Sequence, residues 1–373
     1  MITTTTNKNS NSLSSSRPGT ASLLRLKHPT AELDMPMNKA LGLFPRPSVS
    51  LVRIERDDAR TESDLWRVFQ ELLHGHEEIY PDIRRWVRQR VQPGLKTGER
   101  RAFVGFCNER PVLTAVVKRG SQSKFCHLRI SEDFQGNKLG ELMFSLMAQE
   151  VRRESKAVHF TLPAGLWEKK KGFFSSFGFK TAKRAEVQYR LFEEELVCSS
   201  PFSEVWGSVL GRLPTLLNFF DVAGHERGSG VVLTVKEPHA SAIIEGEKSI
   251  EIRSRFSPRW VGHRAGICVP GGGGWLIGSA LIGDVTVARP EEIWSAFHDQ
   301  IGCSREEFDA YCSDHEQVFA IQVLDPRPYL APVPLTQLAH LIGRDMTPPH
   351  SYSRITKESG WDDALSVATL LHG

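Results

Sequence analysis

Two short stretches of this 373-residue chain carry residue types at spacings that could do chemistry. In the first, Leu128 and Ile130 close an alternating, strand-like run, and a polar loop holding Gln135, Gly136, Asn137 and Lys138 follows. From there Leu139, Leu142, Met143, Leu146 and Met147 recur at three and four, the spacing of one buried helix face. A strand, a glycine-bearing loop and a helix start aim unpaired main-chain N–H groups at an anion, because a helix's first turn has no internal acceptors. Gly136 and Gly140 lack a Cβ and would let a diphosphate approach the main chain. An ordinary strand-to-helix turn has the same spacing, since two glycines fall short of the P-loop and dinucleotide fingerprints.

In the second stretch, Lys248, Glu251, Arg253 and Arg255 fall within eight residues. In a strand Ser249, Glu251, Arg253 and Arg255 share one face, and Lys248 comes just before, at the turn. A Lys, a Glu and two Arg on one strand edge can hold phosphate and hydrogen-bond a base edge. The bland alternative is an exposed strand laced with alternating salt pairs.

The elements that must position these residues come from a chain long enough for two domains. With 40% hydrophobic and 24% charged residues it is globular, and its net charge of +3 does not argue for nucleic acid from the total. Charge is uneven, however. Ten Lys or Arg face three Glu over residues 151–190, and nine acidic residues face two Arg over 283–316. Six cysteines without metal-ligand spacing suggest small buried thiols in a reducing, cytoplasmic compartment and no metal. No run is apolar enough to span a membrane. The first forty-odd residues are rich in Ser, Thr and Asn and read as a disordered tail, with organelle-transit composition as the alternative.

Periodicity predicts a strand over 50–56, a helix over 63–74 and a second helix over 82–91 stopped by Pro93-Gly94. A hairpin over 102–118 follows, then the strand-loop-helix unit, a strand over 158–162, a helix over 166–177 and a last strand around 187–191. Arg84, Arg85, Arg88 and Arg90 line one face of the second helix, and Lys169, Lys170 and Lys171 lie together in the later one. Phosphate-rich acceptors suit such a lining. Residues 202–220 have helical spacing within a join over 193–230. From Val231 short strands dominate, interrupted by helices over 240–245 and 290–316, as in a small barrel with helices on its rim.

The run from Phe134 to Gly140 resembles the acetyl-CoA loop of the GNAT acyltransferases: Gln or Arg, two residues, Gly, one residue, Gly or Ala. Gln135 opens it, Gly140 closes it, and Lys138 stands where the family has its middle glycine. The resemblance implies that N–H groups from about Gly136 to Glu141 hold the CoA diphosphate. It implies also that Leu128 to Ile130 present strand edge to the pantetheine arm. Lys138 could pair with phosphate as a point charge. The element order extends the likeness over about 49–192. It departs where many GNAT enzymes place a tyrosine that protonates the leaving thiolate: Phe174 stands there, and a phenyl ring donates no proton. Glu141 and Ser175 are the other groups in range.

Gly246, Lys248, Glu251 and Arg253 resemble the ASCH signature Gly-x-Lys-x-x-Glu-x-Arg, a likeness that runs from about Val231 to Pro334. It implies a PUA-like barrel with an RNA- or nucleotide-related ligand. One small ASCH family hydrolyses acetylated cytidine with Lys, Thr and Glu. Lys248 matches the lysine, Glu251 replaces the threonine, and Ile301 falls near the glutamate's place.

The expected fold class is therefore α+β, a GNAT acyltransferase fold followed by a small PUA-like β-barrel. The expected limits are a tail over 1–48, an acyltransferase half over 49–192, a join over 193–230, an ASCH half over 231–345 and an extension over 346–373. The expected function is acetyl-CoA-dependent N-acetylation of an RNA or nucleotide-like acceptor. The alternatives are a non-catalytic CoA- and RNA-binding protein and an amidohydrolase acting on acetylated cytidine.

Overall fold

The computed structural model describes residues 46–73, 80, 82–187, 193–356 and 358–372. Nearly all of the tail expected over 1–48, and the strand expected around 187–191 beyond Val187, lie outside the described residues.

Alternating apolar residues build an eight-stranded sheet. Its strands are β1 (Ser48–Ile54), β2 (Arg100–Cys107), β3 (Arg110–Lys118), β4 (Gln122–Ile130), β5 (Ala157–Pro163), β6 (Ala182–Arg184), β7 (Glu195–Pro201) and β8 (Asp221–Val222), ordered β6-β7-β5-β4-β3-β2-β1-β8. Because side chains alternate across a strand, Ile54, Ala102, Val104 and Val116 pack on one face. That face carries α1 (Arg56–Thr61), α2 (Asp64–Leu73), α3 (Ile83–Trp86) and α4 (Gln92–Thr97). Phe103, Leu113, Ala115, Val117 and Phe125 pack on the other, beneath α5 (Leu139–Val151), α6 (Ala164–Ser176), α7 (Phe202–Val209) and α8 (Arg212–Leu217).

Pro93 does not stop the second helix, contrary to expectation. A π-helical turn, Val87–Val91, widens the helix there, and the Gln92 N–H reaches back to Val87 O. Pro93, which has no N–H to give, then sits in the first turn of α4, and the chain leaves the helix at Gly98, φ 76°.

The second sheet comprises β9 (Val231–Thr234), β10 (Ile250–Arg253), β11 (Arg264–Val269), β12 (Trp275–Ala288), β13 (Val318–Pro334) and β14 (Tyr352–Arg354), ordered β10-β13-β12-β11-β9-β14. Around it lie α9 (His239–Glu245), α10 (Pro290–Ile301), α11 (Arg305–Cys312), α12 (Leu335–Ile342) and α13 (Trp361–His372). The helix expected over 290–316 is two, divided at Gly302 in the left-handed region, φ 68°. β13 runs through four prolines because β10 covers its other side only as far as Gln322; beyond that it is an edge, where a missing N–H costs nothing.

The two sheets share a core. One packed cluster runs from Val49, Leu142 and Met147 through Leu213 and Leu217 to Cys268, Leu338, Leu365 and Leu371. Helix α13 supplies much of it. Gly266 on β11 lets it come close, since a Cβ there would lie 2.7 Å from Leu365 Cδ2. On α13 the fully buried Asp362 accepts from His225 Nε2 at 3.1 Å and from the Gly228 N–H at 2.8 Å, beside Arg227. Among the described residues no helix is long and apolar enough to cross a membrane.

Candidate functional site

β4 and β5 run parallel but pair only at their beginnings, Gln122–Lys124 against residues 157–159. Beyond Lys124, β4 keeps its antiparallel partner β3 as far as Ile130. Beyond His159, β5 stays paired with β7. The facing edges of 125–130 and 160–163 therefore part, leaving a wedge in which main-chain groups of β4 have no strand partner on that side among the described residues. One extra residue, Cys126, bulges from β4, since Val117 faces Phe125 while Val116 faces His127. Such a bulge re-aims the residues after it.

The loop after β4 opens at the mouth of this wedge. Gln135 ties it down, its Nε2 donating to Ile130 O at 3.1 Å. Gly136 takes φ 83° and Lys138 φ 65°. The left-handed region costs a residue with a Cβ about 1–2 kcal/mol, which is the physical reason a glycine suits position 138. Helix α5 starts without a side-chain cap, and its first internal bond is Leu142 N–H to Lys138 O, 3.0 Å. The N–H groups of Gly136, Asn137, Lys138, Leu139, Gly140 and Glu141 have no close, well-aligned acceptor among the described residues, although a loosely closed turn spans Gln135 and Gly136. Donors of this kind at a helix N-terminus can cradle an anion. The Lys138 ammonium lies 2.9 Å from Glu141 Oε1 and 5.9 Å from the Phe219 ring centroid. A Cβ at Gly140 would lie 3.5 Å from Ile130 and 3.7 Å from Phe173, so this glycine looks onto the wedge wall.

That wall is apolar. Leu128 and Ile130 pack against the core on the α5 side. Phe174 lies 4.9 Å from Phe160 and stacks on Trp167 at 5.9 Å, and Phe173 is 5.6 Å from Phe144. Of the alternative proton donors, Glu141 is held by Lys138, and Ser175 is exposed on α6.

The opposite face, apolar over most of its area, carries polar side chains beside the wedge, and two imidazoles there escaped the sequence reading. His127, just past the bulge, has Nε2 3.0 Å from Thr114 Oγ1 and its ring 6.4 Å from Trp86. Arg129 donates to Leu72 O at 2.6 Å. His159 stands at the fork, flanked by Val158 and Phe160, which face the core on the α5 side. Burial, then the charges of Lys124 and Lys118, hold its imidazole below the usual value, so it is neutral near pH 7. Only the bulge, invisible in alternation, could have signalled His127. Arg84, Arg85, Arg88 and Arg90 are exposed on α3 and the π turn, as are Lys169, Lys170 and Lys171 on α6.

The barrel residues form a different kind of site. Lys248, Glu251 and Arg253 come together, but inside the wall rather than on an open strand face, with 4%, 6% and 7% of their surface exposed. The Lys248 ammonium donates to Ile301 O and lies 3.5 Å from Glu251 Oε2. Arg253 Nε is 2.9 Å from Glu251 Oε1, although its N–H is not aimed at that oxygen. The Arg253 guanidinium crosses from one sheet edge to the other, donating to Thr234 O at 2.6 Å and Ser351 O at 3.1 Å. It thereby closes the rolled sheet between β10 and the β9-β14 edge. Arg255, past the strand end, is apart from this cluster in burial: it is exposed. Ile301 does sit at Lys248, but brings a main-chain carbonyl where a hydrolase would need a carboxylate.

The thiols are inert in character. Burial raises Cys198 to about 12 and Cys268 and Cys312 to about 11.

Among solved structures the chain is similar to ASCH from Zymomonas mobilis, at 22% identity and a TM-score of 0.35, over 39% of this chain and 96% of that one. It is similar also to an acetyltransferase from Thermus thermophilus, at 22% identity and a TM-score of 0.28, over 41% of this chain and 97% of that one. A third likeness, at 10% identity and a TM-score of 0.32, is to a protein assigned to the GNAT family from Desulfovibrio desulfuricans, over 42% of this chain and 99% of that one. No protein-family model and no curated protein matches the sequence.

Proposed function

We propose that the chain transfers an acetyl group from acetyl-CoA to an amine of a polyanionic acceptor, an RNA or a nucleotide-like molecule. The observation that carries this reading is the run of N–H groups, residues 136–141, without a close acceptor among the described residues at the mouth of the β4/β5 wedge. A diphosphate fits that cradle, with Lys138 as the neighbouring cation. The wedge continues from it along the free edge of β4, whose main chain can pair with the amides of a pantetheine arm. Acetyl-CoA supplies the activated acyl group. The chain's own part is to align that group beside the bulge at Cys126, where a β4 N–H can polarise its carbonyl, and to admit the amine from the opposite face. His127 and His159 are the imidazoles on that face able to take the amine's proton. The Arg and Lys residues of α3, the π turn and α6 suit an acceptor rich in phosphate.

A second reading, a CoA-binding protein without turnover, is favoured by the apolar wall of Phe160, Phe173 and Phe174. That wall leaves a departing thiolate to be protonated by solvent. Hydrolysis of acetylated cytidine in the barrel has less support, because Lys248 is buried and engaged.

The test is incubation with radiolabelled acetyl-CoA and, separately, total RNA, nucleosides, polyamines and protein. The expected result is label in the RNA or nucleoside fraction with matching release of free thiol. Acetyl-CoA binding without label in any fraction selects the second reading, and absence of binding overturns both.

A further inference from the structure

The segment after β10 runs back along β14, and three contacts hold it there. Arg253 donates to Ser351 O at 3.1 Å, the Phe256 ring lies 5.2 Å from Tyr352, and the Arg354 guanidinium is 6.0 Å from the Trp260 ring centroid. The Arg259 guanidinium lies over the same indole at 4.5 Å, and His263 meets it edge-on at 5.8 Å. Arg255, Arg259 and Arg354 are all exposed on this rim. None of their guanidinium groups has a carboxylate or hydrogen-bond partner among the described residues. Elsewhere on the barrel, Arg264 is paired with Asp325 at 2.7 Å, Arg305 with Asp309 at 2.7 Å and Arg327 with Asp325 at 2.8 Å, while Arg289 is exposed without such a partner among the described residues. What sets Arg255, Arg259 and Arg354 apart is that they gather along one seam, two of them at the same indole.

Two of them rest on an indole. Cation–π contact restricts a guanidinium without using its N–H groups, so its planar fork stays available for phosphate oxygens. The half-buried rings of Tyr352 and His263 lie along the same seam, where an unstacked base could lean on them. We propose that this rim binds the phosphate backbone of a single-stranded nucleic acid. The inference deepens the reading of the acceptor as RNA and rests on it. It moves the contact from Lys248, Glu251 and Arg253, which are buried and, Arg253 Nε apart, engaged with one another and with main-chain carbonyls, to Arg255, Arg259 and Arg354.

The test is fluorescence anisotropy of a labelled twelve-nucleotide oligouridylate with the full chain, without acetyl-CoA, across a salt series. Three phosphate contacts on a single strand contribute about 2 to the slope of log K against log salt. The triple variant R255A/R259A/R354A should lose that much slope and at least tenfold in affinity, with an unchanged melting temperature showing that it folds. The pair R259K/R354K, which keeps the charge but loses the flat stacked fork, should fall between. Equal binding and slope in wild type and the triple variant overturn the proposal. So does capture of polyglutamate by wild type with no binding of the oligonucleotide. No acetyl-CoA is present, so failure here leaves the transfer reading standing, and loss of transfer with intact oligonucleotide binding does the reverse.

Discussion

The loop at 135–141 and the barrel cluster at 248–253 are both short polar runs set among helices and strands, and they end in opposite hydrogen-bonding states. In the loop, the main-chain donors of residues 136–141 have no close acceptor among the described residues. In the barrel, an ammonium, a carboxylate and a guanidinium are buried, with main-chain carbonyls and one another as partners. The loop costs the fold little beyond a left-handed lysine. The cluster is part of the fold, because Arg253 joins two edges of a rolled sheet. A signature rich in charge is therefore weak evidence for a ligand until its donors are counted. A plain glycine loop gains weight when its amides prove unpaired.

The largest expected effect breaks the comparison from the barrel side. Glu251→Gln leaves Lys248 and Arg253 buried without their counter-charge and should cost about 3–5 kcal/mol in urea unfolding. Lys138→Ala, on the exposed loop, should stay within about 0.5 kcal/mol of wild type. Equal effects would mean that the two sites do not differ as described.

Next in size is Gly136→Val. A β-branched side chain at φ 83° is strained by about 1–2 kcal/mol, while the space around its Cβ is open. The loss should therefore come through conformation. Acetyl-CoA affinity by calorimetry should fall at least tenfold as the N–H groups turn away, with a melting point only a few degrees lower.

A pH series separates the shared core from the loop. Burial, then the charges of Arg53 and Arg153, push His372 on α13 down to about 4 from an ordinary 6.5. Between those values the unfolded chain binds more protons than the folded one, so stability rises with pH and is lost as pH falls from about 6.5 towards 4. Asp362 adds to this at the acid end. Burial raises its carboxyl, but His225, the Gly228 N–H and Arg227 outweigh that and hold it below the usual range. Melts between pH 7 and 4 should show the loss, and His372→Phe should flatten its upper part.

The smallest effect is Lys138→Gly. Relief of the left-handed strain and the added freedom of the unfolded chain should nearly cancel, leaving stability within about 0.5 kcal/mol. Acetyl-CoA affinity should drop a few-fold, because Glu141 loses its cation beside the cradle.

Much of this was legible in residue order. Alternation over 102–118 and 125–130 placed the central strands, and the three-and-four spacing from Leu139 placed α5, because both patterns follow directly from which side is buried. The burial of Lys248, Glu251 and Arg253 was not legible. Their alternation is the same whether the face meets solvent or the inside of a rolled sheet, and the closing partner, Ser351, lies 98 residues on. The pairing of β4 with β5 also depends on distant register, so neither the wedge nor the bulge at Cys126 has a local signal. The continuation through Pro93 was missed for a different reason: a π turn removes the bond that proline would have broken.

The main-chain amides of residues 136–141 can be observed one by one. In a 15N-correlation spectrum of the labelled protein, addition of CoA should move the amide signals of Gly136 through Glu141 downfield and saturably, with smaller shifts along 125–130. Saturable binding that moves other amides and leaves those six in place would contradict binding at this loop.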